Sequence, residues 1–462
     1  MQAYLKCGKI LSLALLLLGS TLPIYAQKLN LPPIVRAQEP NGIKTALMEY
    51  RKTPTLSLRA VFPFGTANDP ADKAGVADIL TTLMMRGTTS QSALQISEAI
   101  DFLGGSLSVT AGRESITVSL EVLAKDLDAG LDLFADVIRN ATLPEGELDR
   151  ERQLAIAGLQ SLGEEPRAVA AVVLMETIYK GHPYGASQTI TSLKNITRQD
   201  LQDFYHRAIT PNNMLLVGVG DFKVASLQQK LRAKFGDWAK TDDTLPPVPT
   251  YQPIAKSLLL IDKPDATQTQ VRLVRPALPI HHPDHYASEL ANAILGGGFT
   301  SRLTEEIRIN RSLTYSINSG FQKNLKGGSF QFSSFTKVET TGEMLKALRD
   351  LLKKTATEGF SETEVRKTKG YMAGLFAIGA QTPQALAGQL VNQIRNNLPD
   401  NYLATYIEKI QAVSLADVNR IAKTYFQPNA LSFVLVAPAS KIKDQIKPFG
   451  VFEVKPVDSV GK

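Results

Sequence analysis

At 462 residues the chain is too long for one ordinary hydrophobic core, so two or more domains are expected. Its 44% hydrophobic and 21% charged residues are those of a soluble globular protein. The formal charge of +7 is scattered, with Lys323-Asn-Leu-Lys326 and Lys353-Lys354 its densest groups. No basic stripe with interleaved aromatics is present, which argues against nucleic acid as a partner.

Lys6 and Lys9 precede an apolar run over 10–18, followed by small residues and Tyr25-Ala26-Gln27. This reads as a secretory signal peptide over 1–26, cleaved after Ala26; a retained anchor is the alternative. The run is too short to span a bilayer, and no membrane span is expected after cleavage. Cleavage removes two lysines, taking the charge to +5, and also Cys7, the one cysteine of the chain. A mature chain of this kind has no disulfide, no thiol catalysis and no cysteine metal site. Cys7 does not close the apolar run, so no lipidated cysteine is indicated. The expected destination is exported: periplasmic or extracellular in a bacterium.

Along the chain, Leu56–Phe62 alternates with period two, and 107–120 reads as a hairpin turning near Gly112. Apolar residues recur at three- and four-residue spacing over 75–85, 97–103, 127–138 and 148–162, the pattern of helices burying one face. Stripes of this kind, Met84-Met85 included, are core in the simplest reading. Ile196 and Val413 open similar helical patterns, and each leads through a Pro-Asn step, at Pro211 and Pro428, into an apolar strand. Both pairs are 217 residues apart, as are Leu148 and Val365 in an earlier helix. One shared offset over three segments implies a duplicated domain. Four prolines within 245–253 read as a semi-rigid linker between the copies. The expected fold is α+β: two homologous domains over 28–244 and 254–455, each a mainly antiparallel sheet with helices packed on one face.

The second half contains Gly296-Gly-Gly-Phe-Thr-Ser-Arg-Leu-Thr-Glu-Glu-Ile-Arg-Ile-Asn-Arg-Ser-Leu-Thr-Tyr-Ser-Ile317. A helix over 300–309 and a strand starting at Thr314 would bring Arg308 and Tyr315 to one point. A guanidinium and a phenol there donate hydrogen bonds to a carbonyl or oxyanion. The alternative is that Arg308 pairs with a nearby glutamate and Tyr315 is core. Gly296, Gly297 and Gly298 permit close backbone approach or merely a turn; without a following Gly-Lys-Ser/Thr they make no phosphate loop.

With Gly181-His-Pro-Tyr-Gly185, Pro211-Asn-Asn, Phe235-Gly-Asp-Trp238 and the duplication, this segment resembles the pitrilysin/insulinase and mitochondrial-processing-peptidase family of metallopeptidases, the inverzincins. The resemblance covers almost the whole mature chain. It implies that Arg308 and Tyr315 are catalytic, that Gly296–Gly298 border the substrate, and that a signature helix H-x-x-E-H belongs in the first half. The matching helix is Gly75–Thr88, where the two histidine positions hold Asp78 and Thr82 and the glutamate position holds Thr81. The remaining ligand position, beyond Arg150-Glu151-Arg152, falls on Gly158. A catalytic zinc takes three protein ligands, so none is expected in this chain. His281-His-Pro-Asp-His285 reads as a surface loop before a helix start, and His182 and His206 as packing or surface residues.

The resemblance therefore implies the non-zinc-binding subunit of a pair. A homologous partner would hold the zinc, and peptides would be the substrates, held as an added strand on a sheet edge. The alternative is a vestigial peptidase serving as a structural or peptide-binding protein.

Overall fold

The computed structural model describes residues 30–253 and 255–461; the signal segment over 1–26 lies outside them. Six strands form the first sheet: β1 (Ile34–Gln38), β2 (Lys44–Glu49), β3 (Thr55–Phe62), β4 (Ser106–Ala111), β5 (Ile116–Leu123) and β6 (Leu215–Gly220), in the order β1-β2-β6-β3-β5-β4. The second is built from β7 (Leu258–Asp262), β8 (Gln268–Ala277), β9 (Ile317–Lys323), β10 (Gly328–Lys337), β11 (Ser432–Ala437) and β12 (Glu453–Pro456), in the order β12-β7-β11-β8-β10-β9. Antiparallel pairs dominate, with β2–β6, β7–β11 and β7–β12 parallel. Five strands match one for one between the sheets. The sixth comes from opposite ends of the chain, β1 before the first copy and β12 after the second.

The first half carries helices α1 (Val76–Met84), α2 (Ala93–Phe102), α3 (Leu127–Arg139), α4 (Glu145–Ser161), α5 (Pro166–Ile178), α6 (Ile190–Asn195), α7 (Arg198–Ala208) and α8 (Val224–Phe235). The second carries α9 (His285–Leu295), α10 (Thr341–Glu358), α11 (Glu362–Ile378), α12 (Pro383–Arg395), α13 (Tyr402–Ala412), α14 (Leu415–Tyr425) and α15 (Ala439–Ile446). The starts of α4 and α11, α5 and α12, α7 and α14, and β6 and β11 are each 217 residues apart, and each pair is equal in length. None of these helices is long and apolar enough to cross a membrane.

Period-two alternation sends Leu56, Leu58, Ala60 and Phe62 of β3 to one face, where α1, α3, α7 and α8 bury them. The other face of the first sheet, with Met48, Val217 and Val219, is covered by Leu386, Ala387 and Leu390 of α12, from the second half. Reciprocally, Leu259, Ile261, Val274, Val434 and Val436 of the second sheet pack against Val169, Val173, Leu174 and Ile178 of α5, from the first. Each copy keeps its own helices on one face and lends one helix to the other copy's sheet. The proline-rich stretch over 245–253 has no helix or strand, yet Tyr251 is buried and its hydroxyl donates to Ile178 O at the end of α5, 2.7 Å away.

Candidate functional site

Gly75, at φ +113, opens α1 from the left-handed region that glycine tolerates best. Asp69 completes the cap: its carboxylate accepts from Gly75 N at 2.7 Å and Ala77 N at 3.0 Å. Burial pushes the Asp69 carboxyl up to about 7, against those two donors and with the charge of Asp78 adding to the rise. The side chains at the metal-site positions are otherwise engaged. Asp78 Oδ2 accepts from Gln188 Nε2 at 2.6 Å, and burial raises its pKa above the usual carboxylate range. Thr81 and Thr82 both donate their hydroxyls to Asp78 O, at 3.0 and 3.1 Å. Gly158 is exposed on α4, and a Cβ there would meet nothing within 4 Å. Glu151 is taken by Arg86 at 2.9 Å.

One hydrogen-bonded carboxylate and two backbone-bonded hydroxyls do not fit zinc, which takes nitrogen, sulfur or carboxylate ligands in threes and fours. No group of three His, Cys, Asp or Glu able to hold a metal occurs among the described residues. The purified chain is expected to carry far less than one zinc per molecule by elemental analysis. Stoichiometric zinc surviving dialysis would overturn this.

Arg308 and Tyr315 do meet, by a route different from the expected one. Residues Thr304–Asn310 form a π-helix rather than an α-helix, a wider turn often found at functional positions. The strand begins at Ile317 rather than Thr314, because Thr314 Oγ1 folds back to bond both Ser316 N (3.2 Å) and Ser316 O (3.0 Å). Tyr315 thus projects from a loop. Arg308 Cζ lies 4.6 Å from the centre of the Tyr315 ring and 5.2 Å from that of Phe299.

Both rings are open to solvent, Tyr315 at 74% and Phe299 at 78% exposure, so Tyr315 is not core. Arg308 has no hydrogen-bond or ion-pair partner among the described residues, and its neighbour Glu306 is bonded to Arg311 at 2.7 Å. The ion-pair alternative therefore does not describe it. All five guanidinium hydrogens remain available, and two rings hold the group in place.

The pair borders a cavity of about 510 Å³ lined also by Gly296–Gly298, Phe299, Gln331 and Ser333. Gly296 has to be glycine: a Cβ would fall 2.3 Å from Ser319 Oγ and 2.5 Å from Leu303 Cδ1. At Gly298 the nearest atom to a Cβ is Tyr371 Oη at 3.6 Å, which is ordinary contact. The run therefore presses the loop onto β9 at one end and leaves the cavity wall open at the other. Phe299, next to the glycines, was not singled out from the sequence; its position after the run was the available signal.

The His281–His285 stretch divides. His281 is exposed, but His285 opens α9 and is 7% exposed, so the surface-loop reading fails for it. Its Nε2 lies 3.2 Å from both Glu289 Oε1 and Tyr402 Oη, while Lys323 Nζ lies 3.2 Å from its Nδ1 and donates to its carbonyl at 2.9 Å. Helical periodicity brings Glu289 below it, and β9 delivers Lys323. Of the other histidines, His182 Nε2 lies 2.9 Å from Pro249 O and His206 is exposed.

Burial pushes the His285 imidazole down from 6.5 to about 4, against the pull of Glu289. Between these values the unfolded chain binds more protons than the folded one. The contribution of His285 is thus complete above about pH 6.5 and is lost as the pH falls towards 4. Unfolding midpoints measured over that window are expected to fall with pH, by at most about 1.4 kcal/mol per unit from this group. In His285→Gln the slope should flatten; an unchanged slope would contradict the assignment.

Comparison with known proteins places these features in a family setting. Residues 44–192 match the family described as insulinase (peptidase family M16). Residues 195–372, which include Gly296–Gly298, Arg308 and Tyr315, match the domain described as the peptidase M16 inactive domain. An uncharacterized zinc protease of Mycobacterium leprae is 25% identical over 413 residues, covering 88% of this chain and 93% of its own. YmxG of Helicobacter pylori, described as a non-peptidase homolog, is 23% identical over 437 residues, covering 93% and 98%. The solved structure of a peptidase M16 inactive domain from Pseudomonas fluorescens superposes with a TM-score of 0.82 at 25% identity, covering 88% of this chain and 98% of that one.

Proposed function

The chain belongs to the insulinase family of peptidases, M16, on two matched segments that run from residue 44 to residue 372, and from that premise we propose that it is the inactive-motif subunit of a peptidase pair. It supplies Arg308 and Tyr315 to peptide substrates whose scissile bond is presented to a homologous partner. The partner's zinc would supply the Lewis acid and the activated water. In this chain Arg308 and Tyr315 donate hydrogen bonds to the scissile carbonyl, and more strongly to the oxyanion that replaces it. Gly296 holds the loop against β9, and Gly298 leaves the cavity wall open for the peptide.

One observation carries this reading: a guanidinium with no hydrogen-bond or ion-pair partner among the described residues lies against two exposed rings at a cavity, in a chain that lacks a full ligand set at the positions where the family resemblance puts the zinc site. A side chain retained only for packing would be expected to find a carboxylate or a core. The alternative, a peptide-binding protein without a catalytic role, shares the cavity and differs in predicting no effect on any partner's rate. The apolar run over 10–18 and Ala26 support an exported location for the pair.

The test is reconstitution. The purified chain is mixed with an exported homologue that contains H-x-x-E-H, and cleavage of unfolded peptides is followed. A rate equal to that of the homologue alone would sink the proposal.

A further inference from the structure

The chain passes from β1 to β2 through a turn over 39–43, closed by hydrogen bonds from Glu39 N to Ile43 O (2.9 Å) and from Gly42 N to Glu39 O (2.8 Å). Asn41 ties this turn to the end of α8: its Nδ2 donates to Phe235 O at 2.7 Å and to Trp238 O at 3.3 Å. Between the turn and α8 lies a cavity of about 360 Å³, and no described residue lines both it and the Arg308 cavity. Its apolar lining comes from the core side chains Ile43, Leu216, Leu231 and Phe235. Among the described residues around it, Glu39 is the one acid and Arg232 the one base.

The two charges are not equivalent. Arg232 Nε donates to Glu39 Oε2 at 2.8 Å, but the Arg232 side chain is 60% exposed and that of Glu39 12%. Water therefore solvates the guanidinium, while the carboxylate belongs to the cavity wall and depends on donors from the protein or a ligand. One of its oxygens is supplied; Oε1 has no hydrogen-bond partner among the described residues. Asn41 shows the same shortage. It is 9% exposed, and its Oδ1 is buried without a partner while its Nδ2 makes both bonds to the end of α8. A buried acceptor without a donor is costly, and folded proteins seldom leave one unfilled. Both unfilled atoms are acceptors, and both residues line the same apolar cavity.

We infer that this cavity binds an organic cation: a primary ammonium on an apolar body the size of one aromatic side chain. An ammonium carries three N–H donors and no acceptor, which suits Glu39 Oε1 and Asn41 Oδ1 and excludes a carboxylate or phosphate from the same place. Its hydrogen bond to the Glu39 carboxylate is charge-assisted, the stronger kind. The apolar body rests on Ile43, Leu216, Leu231 and Phe235, in a volume at the small end of the range for ligand pockets. Arg232 holds Oε2, so the cation takes the other oxygen without displacing it. The ammonium belongs either to a small arylalkylamine or to the free N-terminus of a peptide with an apolar first residue. The inference is independent of what the Arg308 cavity binds.

Calorimetric titration of the full chain tests this with three probes: phenethylamine, hydrocinnamate and methylamine. Phenethylamine is expected to bind roughly tenfold more tightly than hydrocinnamate, which carries the opposite charge on a similar body, and than methylamine, which carries the charge without the body. A peptide that begins with a free-amino phenylalanine separates the two sources. Binding tighter than that of phenethylamine, and lost on N-acetylation, assigns the cation to a chain terminus; weaker binding assigns it to a small amine. Glu39→Gln keeps the shape and removes the charge, so it should weaken phenethylamine by roughly tenfold. Arg232→Gln, at an exposed position, removes the competing cation and should tighten phenethylamine severalfold, which keeps the site testable should Glu39→Gln fold poorly. Equal binding of phenethylamine and hydrocinnamate would overturn the site. So would an affinity that Glu39→Gln leaves unchanged, one that Arg232→Gln leaves unchanged or lowers, or failure of every probe to bind.

Discussion

Arg308→Ala is expected to lower the cleavage rate of a reconstituted pair by roughly 10²–10³, the usual cost of removing one donor to a developing oxyanion. The loss should fall mainly on kcat, because the interaction strengthens as the carbonyl becomes an oxyanion, and less on KM. Arg308→Lys keeps the charge but not the planar fork, so it should recover only part of the rate. Tyr315→Phe keeps the ring under the guanidinium at 4.6 Å and removes the hydroxyl. It separates the two roles of that residue: a small effect assigns Tyr315 to positioning Arg308, a large one to hydrogen bonding. Arg308 has no ion pair among the described residues to lose, so the melting temperature should move little in any of these variants. An Arg308→Ala pair that cleaves at the unmodified rate would leave only the vestigial reading standing.

Leu390→Ala is expected to destabilise the whole chain by about 2–5 kcal/mol, the range for a buried leucine whose cavity cannot collapse. Leu390 is fully buried, and it belongs to the second half while its cluster includes Met48, Val217 and Val219 of the first sheet. The reporter is built in. Trp238 is the one tryptophan of the chain, and it packs against the core of the first half. A substitution in the second half should therefore shift the denaturant midpoint of Trp238 fluorescence and of helical circular dichroism by the same amount. Were the Trp238 transition to stay put while the dichroism moved, the halves would be unfolding independently and the helix exchange would not bind them into one cooperative unit.

Much of this protein was legible in one dimension. The hairpin turn near Gly112 lies between β4 and β5, where alternation placed it. The 217-residue offset recurs at the starts of α4 and α11, α5 and α12, and β6 and β11. The α+β class and the family followed from these patterns together with the run from Gly296 to Ile317. Local errors had local causes. Thr314 folds its hydroxyl onto Ser316, which delays β9 by three residues, and residues 304–310 widen into a π-turn that no propensity scale marks. His285 looked like a loop residue because what buries it, Tyr402 and Lys323, lies 117 and 38 residues away.

The amino-acid sequence by itself determined the duplicated architecture, the identities Asp78, Thr81, Thr82 and Gly158 at the positions where the family resemblance expects the zinc site, and the presence of Arg308 and Tyr315. These are statements about residue identity and spacing, and identity and spacing are local. Only the tertiary structure decided which apolar faces meet, since Leu390 and Val219 carry no mark of each other. It also decided that Arg308 is gripped by Phe299 and Tyr315 rather than by an acid. And it set Arg272 opposite Ser333, a juxtaposition made by strand register. Charge acquires meaning from its neighbours and its burial, and both are properties of the folded chain.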